Sequence, residues 1–359
     1  ELQHTLPGMD GWRTAWGMGI RLDQIEGKNL FIDDDDEQRL QLRLFANTEK
    51  QFGEQDQWVF NAGLMLEHYE DLGLFASPRV ALNHHLNEHF TLRIAASRAY
   101  RMPSFAEQYN ESALYALDPP GFVGTTPYHY VLNSNRGNDD VDPEELTSYE
   151  LGLVSANWIE GLSFDVRLFH EELRDFINNT LYRDGCDGCD SSPPAFSPHD
   201  IYVVENTGWM DIDGAELQVR YSPTNRTTLV FAASRVNASG ITIDARDAQG
   251  KPLQEKVDQM EAFIPELTAS ALLSHRFDHG WAGSVAYYRM SEMDWPEEGD
   301  ALDSYERWDL RLAKHFRLDG SDLQAELIVQ NLFNQTYQEF RHQNDFERRA
   351  YVRLRLDID

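Results

Sequence analysis

Residues 307–330 read RWDLRLAKHFRLDGSDLQAELIVQ, and this stretch decides the fold. Apolar Trp308, Leu310 and Leu312 alternate with charged residues, and the alternation resumes beyond the segment Leu318-Asp319-Gly320-Ser321. Successive side chains of a β-strand point to opposite faces, so each arm has one apolar and one polar face. The Gly and Asp between the arms are turn residues. The stretch therefore predicts two long antiparallel strands joined by a tight turn.

The same alternation recurs along the chain from about Trp12 to its last residues. The other clear strands place their apolar residues at Leu40, Leu42 and Leu44; at Phe90, Leu92 and Ile94; at Phe164, Val166 and Leu168; at Ala215, Leu217, Val219 and Tyr221; and at Val352, Leu354 and Leu356. Strands of about ten residues exceed the five or six that are usual in globular sheets. They match the length that a tilted strand needs to cross a membrane.

Short connectors alternate with long ones along the chain. The short connectors, rich in Gly, Asn, Asp and Pro, are 50–56, 86–88, 157–161, 222–225, 278–280 and 318–321. The long connectors are 24–36, 69–76, 102–146, 177–207, 237–262, 292–302 and 333–345. Short periplasmic turns and long outer loops are typical of an outer-membrane barrel. We therefore predict an all-β fold, an antiparallel transmembrane β-barrel to which this chain contributes about 14 strands.

A soluble β-sandwich is the alternative fold, with the apolar faces forming its core. It does not explain the alternation of connector lengths. It also does not explain a polar face that mixes Arg, Asp, Glu and Gln, whereas a water-filled lumen accommodates that mixture.

Composition narrows the class of protein further. The chain has 359 residues, 41% of them hydrophobic, with a formal net charge of −30 and a mean hydropathy of −0.55. Runs of 18 or more apolar residues are absent from the sequence, which excludes membrane-spanning helices. The negative charge argues against nucleic acid as a partner, because phosphate binding needs Lys and Arg patches. Trp158 and Trp281 adjoin short connectors, where we expect them at the lipid headgroup level or in ordinary packing.

Two loop segments carry residue types with more than one interpretation. The acidic run from Asp33 to Glu37 is typical of a solvated loop, with a divalent cation site as the alternative. Cys186 and Cys189 form a lone Cys-x-x-Cys, which falls short of the four ligands of a structural zinc site. Outside the cytosol a small loop-closing disulfide is the favoured state, with reactive or metal-binding thiols as alternatives.

Several segments, in order, resemble one known family. They are the segment Arg101-x-Pro103-Ser104-x-x-Glu107; the segment Pro143-Glu144 with Tyr149-Glu150-x-Gly152; Asn206-Thr207-Gly208; Phe263-Ile264-Pro265; and the box Asn331-Leu332-Phe333-Asn334-x-x-Tyr337. Together they resemble the C-terminal part of the barrel of a TonB-dependent outer-membrane receptor of the siderophore-receptor type. We interpret the motif residues as scaffold rather than ligand contacts; they are Arg101, Pro103, Ser104, Glu107, Pro143, Glu144, Tyr149, Glu150, Asn331, Phe333, Asn334 and Tyr337.

The resemblance implies a 22-stranded barrel in the bacterial outer membrane, filled by an N-terminal plug. Residues 1–359 would then be a partial barrel, with the plug, the first strands and the TonB-contacting segment missing. The implied function is import of a scarce, bulky nutrient, most often a ferric siderophore, energised by the TonB complex. Outer-membrane lipid is the other implied partner. An enzymatic activity, a cofactor and a metal site are not expected, since the sequence contains no hydrolase, metalloprotease or nucleotide-binding motif.

Ligand contacts are expected in the longest outer loop, residues 102–146. Its aromatic rings and one arginine suit a flat, polarised ligand, although the rings could instead pack the loop against its neighbours. The candidates are Tyr109, Tyr115, Phe122, Tyr128, Tyr130 and Arg136. A passive outer-membrane channel and a surface-binding barrel remain alternative functions.

Overall fold

The structure is a computed structural model that describes residues 1–26, 37–117, 128–185, 199–240, 245–246, 262–295, 300–318 and 320–358. Across these ranges it is almost entirely β-strand, with one short α-helix and one 3-10 turn. None of the helices in these ranges has the length and apolar character needed to cross a membrane.

The strands are named here in chain order. The first eight are β1 (Leu2–Met9), β2 (Trp12–Ile25), β3 (Glu37–Phe52), β4 (Trp58–Tyr69), β5 (Gly73–His85), β6 (Phe90–Arg101), β7 (Glu111–Leu117) and β8 (Tyr128–Arg136). The next eight are β9 (Glu144–Ala156), β10 (Leu162–Arg174), β11 (Ile177–Gly185), β12 (His199–Asn206), β13 (Trp209–Thr224), β14 (Thr227–Ser239), β15 (Ala245–Arg246) and β16 (Leu267–Arg276). The last eight are β17 (Trp281–Met290), β18 (Met293–Asp294), β19 (Ala301–Leu302), β20 (Tyr305–Leu318), β21 (Ser321–Gln330), β22 (Tyr337–Gln338), β23 (Asp345–Phe346) and β24 (Arg349–Ile358). Helix α1 (Phe105–Tyr109) lies between β6 and β7.

Fifteen strands form one antiparallel main sheet, in the order β1-β2-β3-β4-β5-β6-β9-β10-β13-β14-β16-β17-β20-β21-β24. Each strand therefore pairs with the next long strand along the chain. The predicted fold class is confirmed, and the fourteen strands from Trp12 onward match the predicted number. The additional strand is β1, which pairs with β2 across the turn at Asp10 and Gly11.

The two faces of the main sheet differ in chemistry. Cross-strand partners share a face, and the register puts Met18, Leu44 and Leu66 side by side on one of them, the apolar face. Arg167 and Glu216 are partners on the other, the polar face. Large exposed side chains of the apolar face include Ile20, Leu42, Ile94, Leu168, Leu312 and Leu354. In a membrane protein, this exposure is what contact with lipid requires.

The polar face carries ion pairs between strands. Arg167 lies 2.8 Å from Glu150, 3.2 Å from Glu171 and 3.4 Å from Glu216. The charged side chains of this face thus partly neutralise one another, which stabilises a polar wall.

Connector lengths alternate as the sequence predicts, with one exception. One end of the main sheet, the short-turn end, carries the tight connectors, and the other, the long-loop end, carries α1 and most of the short additional strands. The exception is the predicted long connector 69–76. Tyr69 pairs with Gly73, whose φ of +97° permits a tight turn that a side chain would disfavour.

Candidate functional site

The long-loop end contains a second sheet, built from loops of the main one. Its order is β15-β11-β12-β8-β7, and it joins segments from three separate loops of the main sheet. β12 and β8 run parallel, with Asp200 opposite Asn133 and Val203 opposite Arg136. We call these five strands the loop sheet. Because its strands come from different loops, the loops between β6 and β9 and between β10 and β13 form one unit.

Helix α1 begins within the first family motif, residues 101–107, just after the end of β6. Pro103 cannot donate to a strand ladder, so the strand stops there. Ser104 caps the helix, since its hydroxyl accepts the Glu107 amide N–H at 3.2 Å. The Glu107 carboxylate in turn accepts the Ser104 amide N–H at 2.7 Å. This reciprocal capping box explains the motif spacing of Ser104 and Glu107.

Arg101 joins the two family motifs across the end of β6. Its guanidinium donates to Glu144 at 2.6 and 2.9 Å and to Glu107 at 2.9 and 3.1 Å. Glu144 is 6% exposed and also accepts the backbone N–H of Ile177 at 2.8 Å. The carboxylate of Glu144 on β9 therefore connects β6 and β11, and Arg101 extends this link to Glu107 of α1. These contacts join strands and a helix to one another, and the scaffold role of Glu144 stays a prediction.

Arg39 of β3 fixes the other side of α1. Its side chain is 7% exposed and donates to Asp71 at 2.9 Å and to the carbonyl oxygen of Pro103 at 2.7 Å. It also donates to the Gln108 side chain and lies 4.9 Å from the centre of the Phe105 ring. We call Arg39, Asp71, Arg101, Ser104, Glu107, Gln108 and Glu144 the motif cluster. It holds the start of the 102–146 loop against the wall of the sheet.

Asn206 links the loop sheet to the main sheet. Its side-chain amide donates to the carbonyl oxygens of Asp142, at 2.9 Å, and Asp175, at 2.6 Å. Its side-chain oxygen accepts the Asp142 amide N–H at 2.8 Å. Val141, Ile177 and Val204 form a buried apolar cluster. The loop sheet is therefore attached to the main sheet by both polar and apolar contacts.

The last family motif builds a turn at the end of β21. Asn331 is buried and adopts a φ of +53°. Its side chain donates to the carbonyl oxygen of Gln335 at 2.7 Å and accepts the Gln335 amide N–H at 3.1 Å. Asn334, with a φ of +57°, accepts the Arg348 amide N–H at 2.9 Å. Asparagine tolerates this left-handed backbone better than most residues, which accounts for both positions.

Tyr337 of the same motif belongs to an aromatic stack. Its ring lies 4.6 Å from that of Tyr305 and 5.3 Å from that of Phe346. Its hydroxyl accepts a hydrogen bond from Arg307 at 3.1 Å, and the Arg307 guanidinium lies 4.5 Å from the centre of the Tyr288 ring. Rings and a guanidinium thus line the polar face near the long-loop end.

A recess of about 360 Å³ adjoins this stack. Small residues of β14 and β16 line part of it, among them Ala232, Ser234, Thr268 and Ser270, and Tyr288 and Tyr305 line another part. The register puts these four small residues on the polar face, opposite Glu216 and Gln218. The recess is therefore a hollow in the polar wall near the mouth.

The remaining motif residues are placed as follows. Pro143 precedes β9, and Glu150 pairs with Arg167 on the polar face. Tyr149 is exposed on the opposite face, and Phe333 is exposed near Trp308, with 6.3 Å between ring centres. Within the described part of the chain, neither Tyr149 nor Phe333 makes a side-chain hydrogen bond, although both belong to family motifs.

The predicted ligand contacts are only partly described. Tyr109 ends α1 beside the motif cluster; burial raises the pKa of its phenol, and the Asp71 carboxylate adds to this, so the phenol is a hydrogen-bond donor at neutral pH. Arg136 ends β8, opposite Glu111 of β7. β7 contains the backbone of Tyr115, and β8 contains the backbones of Tyr128 and Tyr130. Four predictions fall outside the described residues: Phe122, Cys186, Cys189 and the acidic residues 33–36. No sequence pattern marks Asp71, Gln108 or Arg39 as residues of the site.

The fold and site define a class: a wall of a membrane-spanning β-barrel with a loop-built mouth at one end. The sequence profile of the family described as "TonB dependent receptor-like, beta-barrel" matches residues 2–332. The chain belongs to this family, whose members are outer-membrane transport proteins rather than enzymes. The predicted family and the predicted location in the bacterial outer membrane are confirmed.

Individual relatives are distant. A ferric enterobactin receptor of Pseudomonas aeruginosa is 27% identical over 158 residues, which is 44% of this chain and 20% of the relative. The ferrienterobactin receptor of Escherichia coli K12 is 27% identical over 111 residues, which is 30% of this chain and 14% of the relative. These shares describe a local similarity to receptors of known ligand.

Solved structures match nearly the whole chain. The siderophore receptor PirA of Pseudomonas aeruginosa has a TM-score of 0.66 at 16% identity, over 98% of this chain and 54% of that one. A variant of the ferric enterobactin receptor of the same species has a TM-score of 0.70 at 16% identity, over 99% of this chain and 52% of that one. The chain thus spans about half the length of these structures, and the likeness shows the fold.

Proposed function

We propose that the protein imports a ferric siderophore across the outer membrane in a process energised by the TonB complex. The observation that carries the proposal is the loop sheet attached to the wall of a TonB-dependent receptor barrel. Loops that share strands and are held by the motif cluster keep a fixed geometry, as high-affinity capture of a scarce ligand requires. The relatives named as ferric enterobactin receptors point to an iron-bearing ligand.

The chemistry of the long-loop end supports a bulky, polar, ring-bearing ligand. Tyr305, Tyr337, Phe346 and Arg307 offer rings and a cation on the polar face, and the adjoining recess provides space. Aromatic rings and arginine bind flat, polarised groups by stacking and cation–π contact. The ligand contacts proposed in the outer loop are Tyr109, Tyr115, Phe122, Tyr128, Tyr130 and Arg136.

Uptake of radioiron-labelled ferric enterobactin tests the proposal. The full-length protein is produced in bacteria that lack their own enterobactin receptors, with and without a functional TonB complex. We expect accumulation of label in cells with TonB and loss of accumulation in cells without it. Accumulation that does not depend on TonB would contradict the energised mechanism.

Ion conductance separates the alternative functions. A passive channel conducts steadily when the purified protein is inserted in a planar bilayer, whereas a plugged receptor conducts little. A surface-binding barrel binds the labelled ligand but does not transfer it to the cell interior. Steady conductance would support a passive channel in place of the proposed function. Binding without uptake for each siderophore class tested would support a surface-binding barrel instead.

The proposed loop contacts can be tested with a double variant, Tyr109→Ala with Arg136→Ala. We expect at least tenfold weaker binding of ferric enterobactin, because a ring and a cation are lost together. Tyr149→Ala is a matched control, since Tyr149 is exposed on the apolar face of the sheet. Equal binding by the double variant and the control would remove Tyr109 and Arg136 from the proposed site.

A further inference from the structure

Two hairpins at the short-turn end repeat one arrangement of tryptophan and lysine. Trp12 begins β2 and lies opposite Lys50 of β3, and Trp281 begins β17 and lies opposite Lys314 of β20. The lysine nitrogen is 5.2 Å from the ring centre of Trp12 in the first pair and 5.0 Å from that of Trp281 in the second. Both distances are within the range of a cation–π contact.

The turns that precede the two tryptophans also match. Asp10 and Gly11 have φ values of +48° and +75°, and His279 and Gly280 have φ values of +58° and +76°. Positive φ at both central residues is the backbone of a type I′ turn, which the twist of a β-hairpin favours. The same turn therefore presents the tryptophan at the same place in both hairpins.

Each lysine is bonded to the turn beside it. Lys50 donates to the carbonyl oxygen of Asp10, and Lys314 donates to that of His279. In the described part of the chain neither ammonium pairs with a carboxylate. An ammonium has three N–H donors, so each lysine keeps donors for a further acceptor.

Both pairs lie on the apolar face, at its boundary. Lys50 follows Leu42 and Leu44 at period two, and Lys314 follows Leu310 and Leu312 in the same way. Trp12 is 45% exposed and Trp281 is 42% exposed. An exposed indole ring at the edge of an apolar band lies at the level of the lipid headgroups.

The use of lysine at these positions is selective. The chain contains five lysines: Lys28, Lys50, Lys251, Lys256 and Lys314. The described part of the chain includes two of them, and both are in these pairs. Elsewhere on the described strands the permanently charged cations are arginines. A lysine is a compact point charge that binds phosphate and extends from apolar surface toward a polar layer.

We propose that each tryptophan–lysine pair binds the phosphate group of a membrane phospholipid at the short-turn end. The indole ring packs against the lipid near its glycerol backbone, and the ammonium donates to the phosphate oxygens. The turn carbonyl holds the ammonium in place, so less side-chain entropy is lost on binding. Charge complementarity favours this partner, because each site presents beside an exposed ring a cation that has no carboxylate partner among the described residues.

Native mass spectrometry of the full-length receptor in detergent, titrated with dioleoylphosphatidylglycerol, tests the proposal. The double variant Lys50→Gln with Lys314→Gln should weaken each of the two tightest lipid-binding steps about fivefold, since a lysine near an anionic surface contributes about 1 kcal/mol. Lys50→Arg with Lys314→Arg should retain most of the binding. A heat-modifiable gel band from each variant shows that it has folded.

Arg13→Gln is the matched control. Arg13 follows Trp12 directly but belongs to the polar face, where it pairs with Glu49 at 2.6 Å; its loss should leave lipid binding unchanged. Unchanged binding by the double lysine variant would overturn the proposal, as would an equal loss in Arg13→Gln. Equally tight binding of dioleoylglycerol, which lacks the phosphate, would also overturn it. A failure of siderophore uptake leaves this result unaffected.

Discussion

Replacing Glu144 by glutamine should loosen the junction between the main sheet and the loop sheet. The Glu144 carboxylate accepts two N–H groups of Arg101 and the backbone N–H of Ile177. Glutamine has the same shape but a single acceptor oxygen, and its NH₂ group would face donors. At least one of the three donors would then lose its partner inside a buried site.

The magnitude follows from the burial of the two partners. A hydrogen bond to a charged group contributes about 1.5 to 3 kcal/mol when buried. The side chain of Glu144 is 7% exposed, but that of Arg101 is 48% exposed and keeps its bonds to Glu107. Water can therefore solvate part of the freed guanidinium, which lowers the cost. We expect the local opening free energy to fall by about 2 kcal/mol, a factor of about 30 in the opening equilibrium.

Hydrogen exchange measured by mass spectrometry can detect this change locally. Peptides that cover the start of β9 and the start of β11 should exchange about 30-fold faster in the variant, because the Ile177 amide and its neighbours open together. Peptides from β20 and β21 should be unchanged. The full-length protein in detergent is the sample.

Glu145→Gln provides the control. Glu145 is adjacent in sequence but points to the opposite face, where it contacts Arg98 at 3.2 Å and the Tyr100 hydroxyl at 3.0 Å. Its replacement should leave exchange at Ile177 at the wild-type rate. Wild-type exchange in Glu144→Gln, or equal acceleration in both variants, would refute the role assigned to the Glu144 carboxylate.

Three further predictions use other parts of the chain. Arg39→Met should lower the local stability of α1 by about 2 kcal/mol, because buried polar partners lose their donor; faster exchange in the α1 peptide would show it. Gly280→Ala should lower the midpoint temperature of the heat-modifiable transition more than Gly320→Ala. Both glycines have a φ near +75°, but a Cβ at Gly280 would lie 2.7 Å from a carbonyl oxygen, whereas a Cβ at Gly320 would meet open space. Cys186 and Cys189 should resist alkylation until a reductant is added, as peptide mass spectrometry can measure.

The wall of the barrel could be predicted from the sequence because its determinants are local. The alternation that indicates a strand spans neighbouring residues, such as Leu310 and Leu312. The residues that indicate a tight turn are two or three positions apart. The alternation from Trp12 to Ile358 therefore predicts the fourteen main-sheet strands that the structure has over those residues. β1 was missed because Leu2 to Met9 is short, and its Pro7 and Gly8 weaken the strand pattern.

The contacts at the mouth could not be predicted, because their determinants are distant in sequence. Arg39 bonds to Pro103, which is 64 residues away, and to Gln108, which is 69 residues away. A single arginine before an apolar alternation looks the same whether it faces lipid headgroups, water or a buried carboxylate. The motif of Ser104 and Glu107 marks a helix start, but only the fold reveals which strand that helix packs against.

The two ends of the sheet therefore constrain the chain in different ways. At the short-turn end, a turn such as Asp10-Gly11 fixes the backbone within two residues, and the neighbouring tryptophan and lysine depend only on that hairpin. At the long-loop end, Glu144 and Asn206 fix the points where loops leave the wall, while β7 and β8 pair within the loop sheet rather than with strands of the main sheet. Substitutions between β7 and β8 should then alter ligand choice without loosening the barrel. Exchange of residues 113–133 for an unrelated loop should preserve the heat-modifiable band and abolish uptake of the original siderophore; loss of the folded band would show that the loop supports the wall.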